Sequence, residues 1–384
     1  MTHNNFSLTR FRGFLVLAIL VISQSNTLAQ FSSEIGTSGE YNTNPLLYTK
    51  PQGSFIQQIY GNLGYESEPI SMGYSLGYTA LQEFPDRNYF QHGLSFWRDF
   101  EGASLSLNLE QRINTVESEY FDYTNAQVSA AKDFELGGGT LSLGTFVSTD
   151  YYPNISILNN YRFSGAFQQL YTFDTRTTII GGATFTSKFY TTPDQNVDVP
   201  TVAPDGSITY VPTNLSNVDN LNNLAAFVRI GQNVFEDYGL SLQFTHRTMF
   251  TEVASSVKNI TPITGDEAAL FDDPATYSGN SLGADVSALL TETTLLKLSY
   301  LYDVKNYPTQ GVYTSMMGNY NSGAMRSDTQ SVLGVSVNHN FSLDSLDMYY
   351  LTITLGYRYT DNTSNSVFYN YTNSGFSLGL SAGF

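Results

Sequence analysis

The 384-residue chain is acidic, with a formal net charge of −17, and it contains no cysteine. This excludes disulfide scaffolds, thiol chemistry and acyl-cysteine anchoring, and it argues against nucleic acid, which is bound through clustered cations. Only 13% of residues are charged while Tyr (28) and Phe (26) abound, and mean hydropathy is −0.18, a balance expected where half of every strand meets lipid and half meets water.

The N-terminus differs from the rest. Arg10 and Arg12 precede the short apolar run from Phe14 to Ile22, and Thr27-Leu28-Ala29 supplies small residues for a cleavage site. The pattern is that of a secretory signal peptide over 1–29, with Gln30 as the new terminus. The run is too short for a membrane-spanning helix, which needs about 20 apolar residues; an uncleaved anchor is the alternative reading.

From there to the end the signal is period-two alternation. Strands are expected near 32–41, 53–65, 70–82, 88–100, 103–113, 121–135, 139–150, 160–173, 176–190, 223–235, 238–252, 278–290, 293–305, 322–342, 346–360 and 367–384. In the segment from Tyr349 to Thr360, Tyr349, Leu351, Ile353, Leu355, Tyr357 and Tyr359 share one face, and Tyr350, Thr352, Thr354, Gly356, Arg358 and Thr360 the other. Leu105, Leu107 and Leu109 oppose Ser104, Ser106 and Asn108 in the same way. A soluble sandwich would also alternate, but here the polar face is mostly Gly, Ser and Thr, and Tyr brackets the apolar one, as in interfacial girdles.

The connections carry an orientation. Short ones fall at Glu101-Gly102, Leu136–Gly139, Asp174–Arg176, Glu236–Tyr238, Thr291–Thr293 and Leu343–Ser345. They alternate with longer ones at 114–120, 151–159, 190–222, 253–275, 306–322 and 360–366. Outer-membrane barrels combine tight periplasmic turns with long external loops. The expected fold is therefore all-β: one transmembrane antiparallel up-and-down β-barrel over 30–384, of about 16 strands, with both termini periplasmic and 14 as the alternative count.

The last strand carries a resemblance. Phe376, Leu378, Leu380, Ala382 and Phe384 fall on one face, with Ser377, Gly379, Ser381 and Gly383 opposite. This resembles the C-terminal insertion signal of bacterial outer-membrane barrels and implies the cell outer membrane, its lipid and lipopolysaccharide, and the barrel-assembly machinery as partners. Gly39-Glu40-Tyr41-Asn42-Thr43-Asn44-Pro45 is similar to the first-strand pattern of many such barrels. At whole-chain level the sequence resembles porins and the broad class of putative β-barrel porins, without a motif for a named family.

Candidate chemistry is sparse. Strand phase puts His92, His246 and His339 on the apolar side; there is no Gly-x-Ser-x-Gly elbow and no His sharing a lumen face with Ser or Asp. No enzyme activity and no cofactor are expected. The acidic loop residues Asp194, Asp198, Asp205 and Asp219, and Asp266, Glu267, Asp272 and Asp273, lack calcium-loop spacing, so no metal is expected. The lumen is the informative surface. Phase places Arg112, Arg162, Lys188, Arg229, Arg247, Lys297, Lys305 and Arg358 inside, against Glu110, Asp285 and Asp303 in the same strands. Arg98 falls on the apolar phase beside Phe96 and Phe100. Rings of Lys and Arg favour anions. The expectation is thus a porin-like channel for passive diffusion of small polar or anionic solutes, with the Pro-rich 190–222 loop as candidate constriction. The alternative is a non-channel barrel acting through its surface loops, as adhesin or export or assembly accessory.

Overall fold

The computed structural model describes residues 30–191, 195–202, 208–215, 220–250, 276–315, 320–343 and 348–384. The expected leader at 1–29 and the whole 253–275 loop lie outside them. The strands are β1 Gln30–Asn42, β2 Ser54–Ser67, β3 Ile70–Leu81, β4 Tyr89–Phe100, β5 Ala103–Asn114, β6 Tyr123–Leu136, β7 Gly139–Tyr151, β8 Asn160–Thr172 and β9 Thr177–Tyr190. They continue as β10 Gln195–Val202, β11 Ile208–Leu215, β12 Leu221–Phe235, β13 Tyr238–Met249, β14 Ser278–Thr291, β15 Thr294–Tyr313, β16 Tyr320–Leu343, β17 Met348–Ser364 and β18 Tyr371–Gly383. All except β10 and β11 form one closed antiparallel barrel of sixteen strands, in which each pairs with its neighbour in sequence, β9 passes to β12, and β18 closes on β1.

Each of the sixteen expected strands is present. Turn chemistry explains the tight end. Gly137 and Gly138 both have positive φ (62° and 80°), as does Gly102 (72°). Two consecutive left-handed residues make the hairpin turn whose twist matches paired strands, and glycine takes that conformation without a Cβ clash. A further short turn, Glu68-Pro69 between β2 and β3, carries the short–long alternation back towards the N-terminus.

Two segments differ from expectation. The 306–322 connection is largely strand, because β15 and β16 run on to Tyr313 and Tyr320 and pair through Tyr307–Arg326, Gly311–Met325 and Tyr313–Tyr320, with register irregularities between them. Pro308, which cannot donate to a ladder, sits at that irregularity and makes the sequence read as loop. Within 190–222, β10 and β11 pair as a separate two-stranded sheet, with Pro200 opposite Tyr210 and Pro212 opposite Asp198. The prolines exclude helix there, but an isolated hairpin has free edges that tolerate them.

Register fixes the faces, since directly opposed residues share a side. Tyr357, Leu355 and Ile353 oppose Phe376, Leu378 and Leu380, and Phe376 in turn opposes Tyr41 across the closing seam. Followed strand by strand, the apolar set keeps one face around the barrel. That face carries the large exposed apolar side chains, among them Ile35, Ile59, Leu242, Leu282, Leu298 and Leu378. The seam ends in reciprocal backbone bonds between Phe384 and Ser33 (2.8 and 3.0 Å). Glycines on the opposite face admit rings from the next strand: Tyr60 lies over Gly36 and Tyr350 over Gly383. The buried apolar residues, including Leu46, Phe121, Leu158, Leu221, Tyr307 and Tyr369, gather instead at the loop end. There, short 3₁₀ turns at Pro85–Arg87, Val116–Phe121, Ser156–Leu158 and Val367–Tyr369 cap the strands.

Candidate functional site

The face opposite the apolar set is the lumen wall, and the register places all eleven predicted residues on it. Arg112 opposes Gln91 and Glu110 opposes Asn125; Arg162 opposes Lys188; Arg229 opposes Gln243; Arg247 opposes Gly279 and Asp285 opposes Ser241. Lys297 opposes Ser287, and Asp303 and Lys305 oppose Ser281 and Gly279, while Arg358 opposes Gly375. None shares a side with the lipid-facing leucines.

Several are brought together. Arg247 donates to Ser281 Oγ (2.9 Å), and both Arg247 and Lys305 stand 5.4 Å from the ring centre of Tyr277. Lys305 donates to Gln330 (3.3 Å). Arg229 donates to Ser241 (3.2 Å), whose hydroxyl donates to Asp285 (3.0 Å). Arg162 faces Asp150 at 3.9 Å. Arg112 packs on Tyr89 at 3.9 Å and Lys188 on Tyr190 at 5.0 Å, and Glu110 accepts from the Tyr123 hydroxyl at 2.5 Å. Cations held against aromatic faces gain quadrupole attraction. Lys297 and Arg358 sit apart from these groups, both exposed to the lumen.

Sequence reasoning missed one deeply buried cation of this wall. Arg326 is 4% exposed and bonds Asp328, which is 2% exposed; its Nε lies 3.1 Å from Oδ1. The guanidinium is sandwiched between Tyr307 (4.0 Å) and Tyr369 (3.3 Å). Asn362 also donates to Asp328 (3.5 Å) and to the Tyr369 carbonyl (2.5 Å). The even phase of the expected 322–342 strand, already set by Gly334 and Ser336, points Arg326 and Asp328 inward. The ring partners come from other segments and leave no local signal.

The balance of inward charge is corrected by the same register. Counting acids only in cation-bearing strands omitted Glu34 and Glu40 of β1, Glu66 of β2, Asp99 of β4, Asp133 and Glu135 of β6, and Asp150 of β7, all on the lumen face. The lumen is therefore not net basic; it is divided. Strands β1–β7 carry these acids and Glu110 against the single cation Arg112. Strands β8–β18 carry Arg162, Lys188, Arg229, Arg247, Lys297, Lys305, Arg326 and Arg358 against Asp285, Asp303 and Asp328. The division is also one of level: Glu34, Glu66, Asp99, Asp133 and Glu135 lie near the short-turn end, and Arg112, Arg162, Lys188, Arg247, Lys305 and Arg326 towards the loop end.

The histidines lie on the outer face. His92 opposes Leu76, and its Nε2 meets Gln111 (3.1 Å). His246 contacts Asn280 (2.8 Å) and Thr248 (3.0 Å), and His339 contacts Thr294 (2.7 Å). These partners are amides and hydroxyls of the same or neighbouring strands, as for interfacial side chains. Among the described residues no group of three or more His, Asp or Glu is placed to hold a metal ion; most of the acidic loop residues named above fall outside that set.

Neither a family model nor a curated protein sequence matches the chain. Solved structures do. OccAB1 of Acinetobacter baumannii aligns with a TM-score of 0.53 at 8% identity, over 94% of this chain and 99% of that one. OmpT of Vibrio cholerae, in a trimer form, aligns at 0.46 and 10% identity over 94% and 100%. CdiB of Acinetobacter baumannii aligns at 0.48 and 11%, over 91% of this chain but 60% of the other. At such identities the likeness is one of fold. The closed sheet with its outward apolar belt, together with the fold likeness to OccAB1, identifies an outer-membrane β-barrel: a closed sheet has no unpaired edge in lipid, and its exterior is what a bilayer accepts.

Proposed function

We propose that the barrel is a passive channel for small polar or anionic solutes, without enzymatic activity, oriented with its short turns and both termini towards the periplasm. The observation that carries this is the divided lumen wall. Sixteen strands enclose a bore wide enough for water, and its inner face is polar, with glycines and serines between fixed charges. A solute with an anionic group runs along the Arg229–Arg247–Arg358 side, while the acids near the short turns keep net ion selectivity modest and favour solutes that carry both signs. The 190–222 segment with its β10–β11 hairpin is the proposed constriction, and Phe376, Leu378, Leu380, Ala382 and Phe384 are the proposed signal for the assembly machinery.

The test is a planar bilayer with a salt gradient. Purified barrel should give discrete conductance steps, and neutralising the basic side (Arg247→Gln with Lys305→Gln) should move the reversal potential towards cation permeability. A protein that is folded and inserted but gives no steps ends the channel reading. One observation favours a second reading, a non-channel barrel acting through its loops as adhesin or export accessory. The β15–β16 ladder continues to Tyr313–Tyr320, whereas the neighbouring β14 ladder stops at Ser278–Asn306, so the β15–β16 pair extends beyond the end of the β14 ladder. Absent conductance, with partner binding lost on removing 308–324, would support that reading.

A further inference from the structure

We propose that the outer face of β4–β6 at the short-turn end binds the headgroup phosphate of an anionic phospholipid, held by Arg98 and Lys132. Every other described Lys or Arg in a barrel strand faces the lumen, and Lys50, Arg87 and Arg176 lie in connections. These two alone share the lipid-facing phase: Arg98 opposes Ile70 and Leu105, and Lys132 opposes Ala103 and Leu143. They lie on the same patch. The ladder runs Arg98–Leu105–Ala130 in one row and Phe100–Ala103–Lys132 in the next, so the two cations flank β5 across two strand spacings, about 10 Å. Leu105 and Ala103 of β5 lie between them.

Their depth is set by lipid energetics. An outward Arg or Lys costs about 2–4 kcal/mol at mid-bilayer and about 0–1 near the interface. Both residues lie close to the turns at Glu101-Gly102 and Gly137-Gly138, which puts them at headgroup level. Each cation is braced on a ring of its own strand, Arg98 on Phe100 (4.9 Å) and Lys132 on Phe134 (5.4 Å). Both are exposed, and among the described residues neither has a carboxylate partner, since Asp99, Asp133 and Glu135 point into the lumen. Above them the outer face continues as Leu94, Leu107, Leu109 and Val128, a surface for acyl chains. Two unpaired cations at the foot of an apolar wall match one lipid class: a phosphodiester anion with two acyl chains. Phospholipid rather than lipid A rests on the proposed orientation, which puts the short turns in the phospholipid leaflet.

The test uses the full barrel in nanodiscs of equal phosphatidylglycerol and phosphatidylcholine with matched chains, released for native mass spectrometry. The wild type should retain phosphatidylglycerol over phosphatidylcholine by roughly tenfold, from two cations near the surface. Arg98→Gln with Lys132→Gln should abolish the preference, and the charge-keeping Arg98→Lys with Lys132→Arg should keep it; heat-modifiable migration on gels reports that each variant is folded. Equal retention of the two lipids by the wild type, or an unchanged preference in the double Gln variant, overturns the proposal. So does a parallel experiment with lipid A in which the double Gln variant loses lipid A and not phosphatidylglycerol. That outcome would reverse the orientation, whereas conductance steps would still stand or fall separately.

Discussion

Replacing Arg326 by methionine removes a buried guanidinium and strands the Asp328 carboxylate, which keeps only the 3.5 Å contact from Asn362. Breaking a buried pair from one side costs about 3–5 kcal/mol, because the remaining charge is neither solvated nor neutralised. The loss also takes the two ring contacts with Tyr307 and Tyr369. The damage should be local. Arg326 ties the β15–β16 extension to the Val367–Tyr369 turn, and the same junction is held by the Tyr313 N–H to Ser366 Oγ (3.0 Å) and the Tyr369 N–H to the Ser366 carbonyl (3.0 Å). Amide hydrogen exchange of the folded barrel in vesicles reads this directly. At about 1.4 kcal/mol per decade, protection of the Tyr313 and Tyr369 amides should fall between about a hundredfold and a few thousandfold, while mid-barrel amides of β13 and β14 stay protected. Arg326→Met combined with Asp328→Leu should recover most of the loss, since apolar replacement of a whole buried pair is often neutral. A fall below about tenfold in the single variant would refute the reasoning. So would a double variant whose loss equals the sum of the two singles.

A Cβ at Gly36 would overlap the Tyr60 ring, so Gly36→Val should destabilise the barrel by about 1–3 kcal/mol in urea titrations; Tyr60→Ala in the same chain should relieve most of it, and an additive effect would contradict the ring-over-glycine packing. Glu83, in the connection after β3, has its carboxyl held below the ordinary value by the Ser54 hydroxyl first and then by the Phe55 N–H (2.9 Å). A lowered folded value means that the stabilisation is present above about pH 4.5 and lost as pH falls through the folded value. The Phe55 amide should therefore exchange faster on acidification in the wild type and show no such step in Glu83→Gln.

The barrel was legible because its two solvents are imposed at every position. Lipid outside and water inside force period-two alternation through each strand, so the phase of Tyr349–Thr360 survives intact in the paired registers of β17. Legibility failed where that contrast fades. Past Lys305 the β15–β16 hairpin leaves the lipid, both faces become mixed, and Pro308 and Gly311 read as a loop although Tyr313 pairs with Tyr320. The β10–β11 hairpin is hidden for the same reason. Among the site residues, phase puts the eight predicted cations on the strand face opposite the apolar set, the same face that the paired registers give them, and Arg98 on the apolar one. The tyrosines that brace the cations were not recoverable: Tyr277 and Tyr369 come from connections whose packing no local period encodes. The acidic wall was recoverable, because Glu66 and Asp99 stand on correctly phased strands; it was missed by weighing acids only beside cations.

That division separates two causes that both turn charge inward. Exclusion from lipid explains why a strand's Arg, Lys, Asp and Glu avoid the outer face, and the exceptions, Arg98 and Lys132 near the short turns and Asp361 at the loop end, set its depth. Exclusion is indifferent to sign, so by itself it leaves cations and acids interleaved around the bore. Interleaving is also the arrangement that folding favours, since opposite charges on adjacent strands attract and like charges repel. Gathering acids on β1–β7 and cations on β8–β18 works against that preference. A cost to the empty barrel that is offset when a charged solute is inside is what the channel proposal requires, and a barrel acting through its loops alone has no use for it.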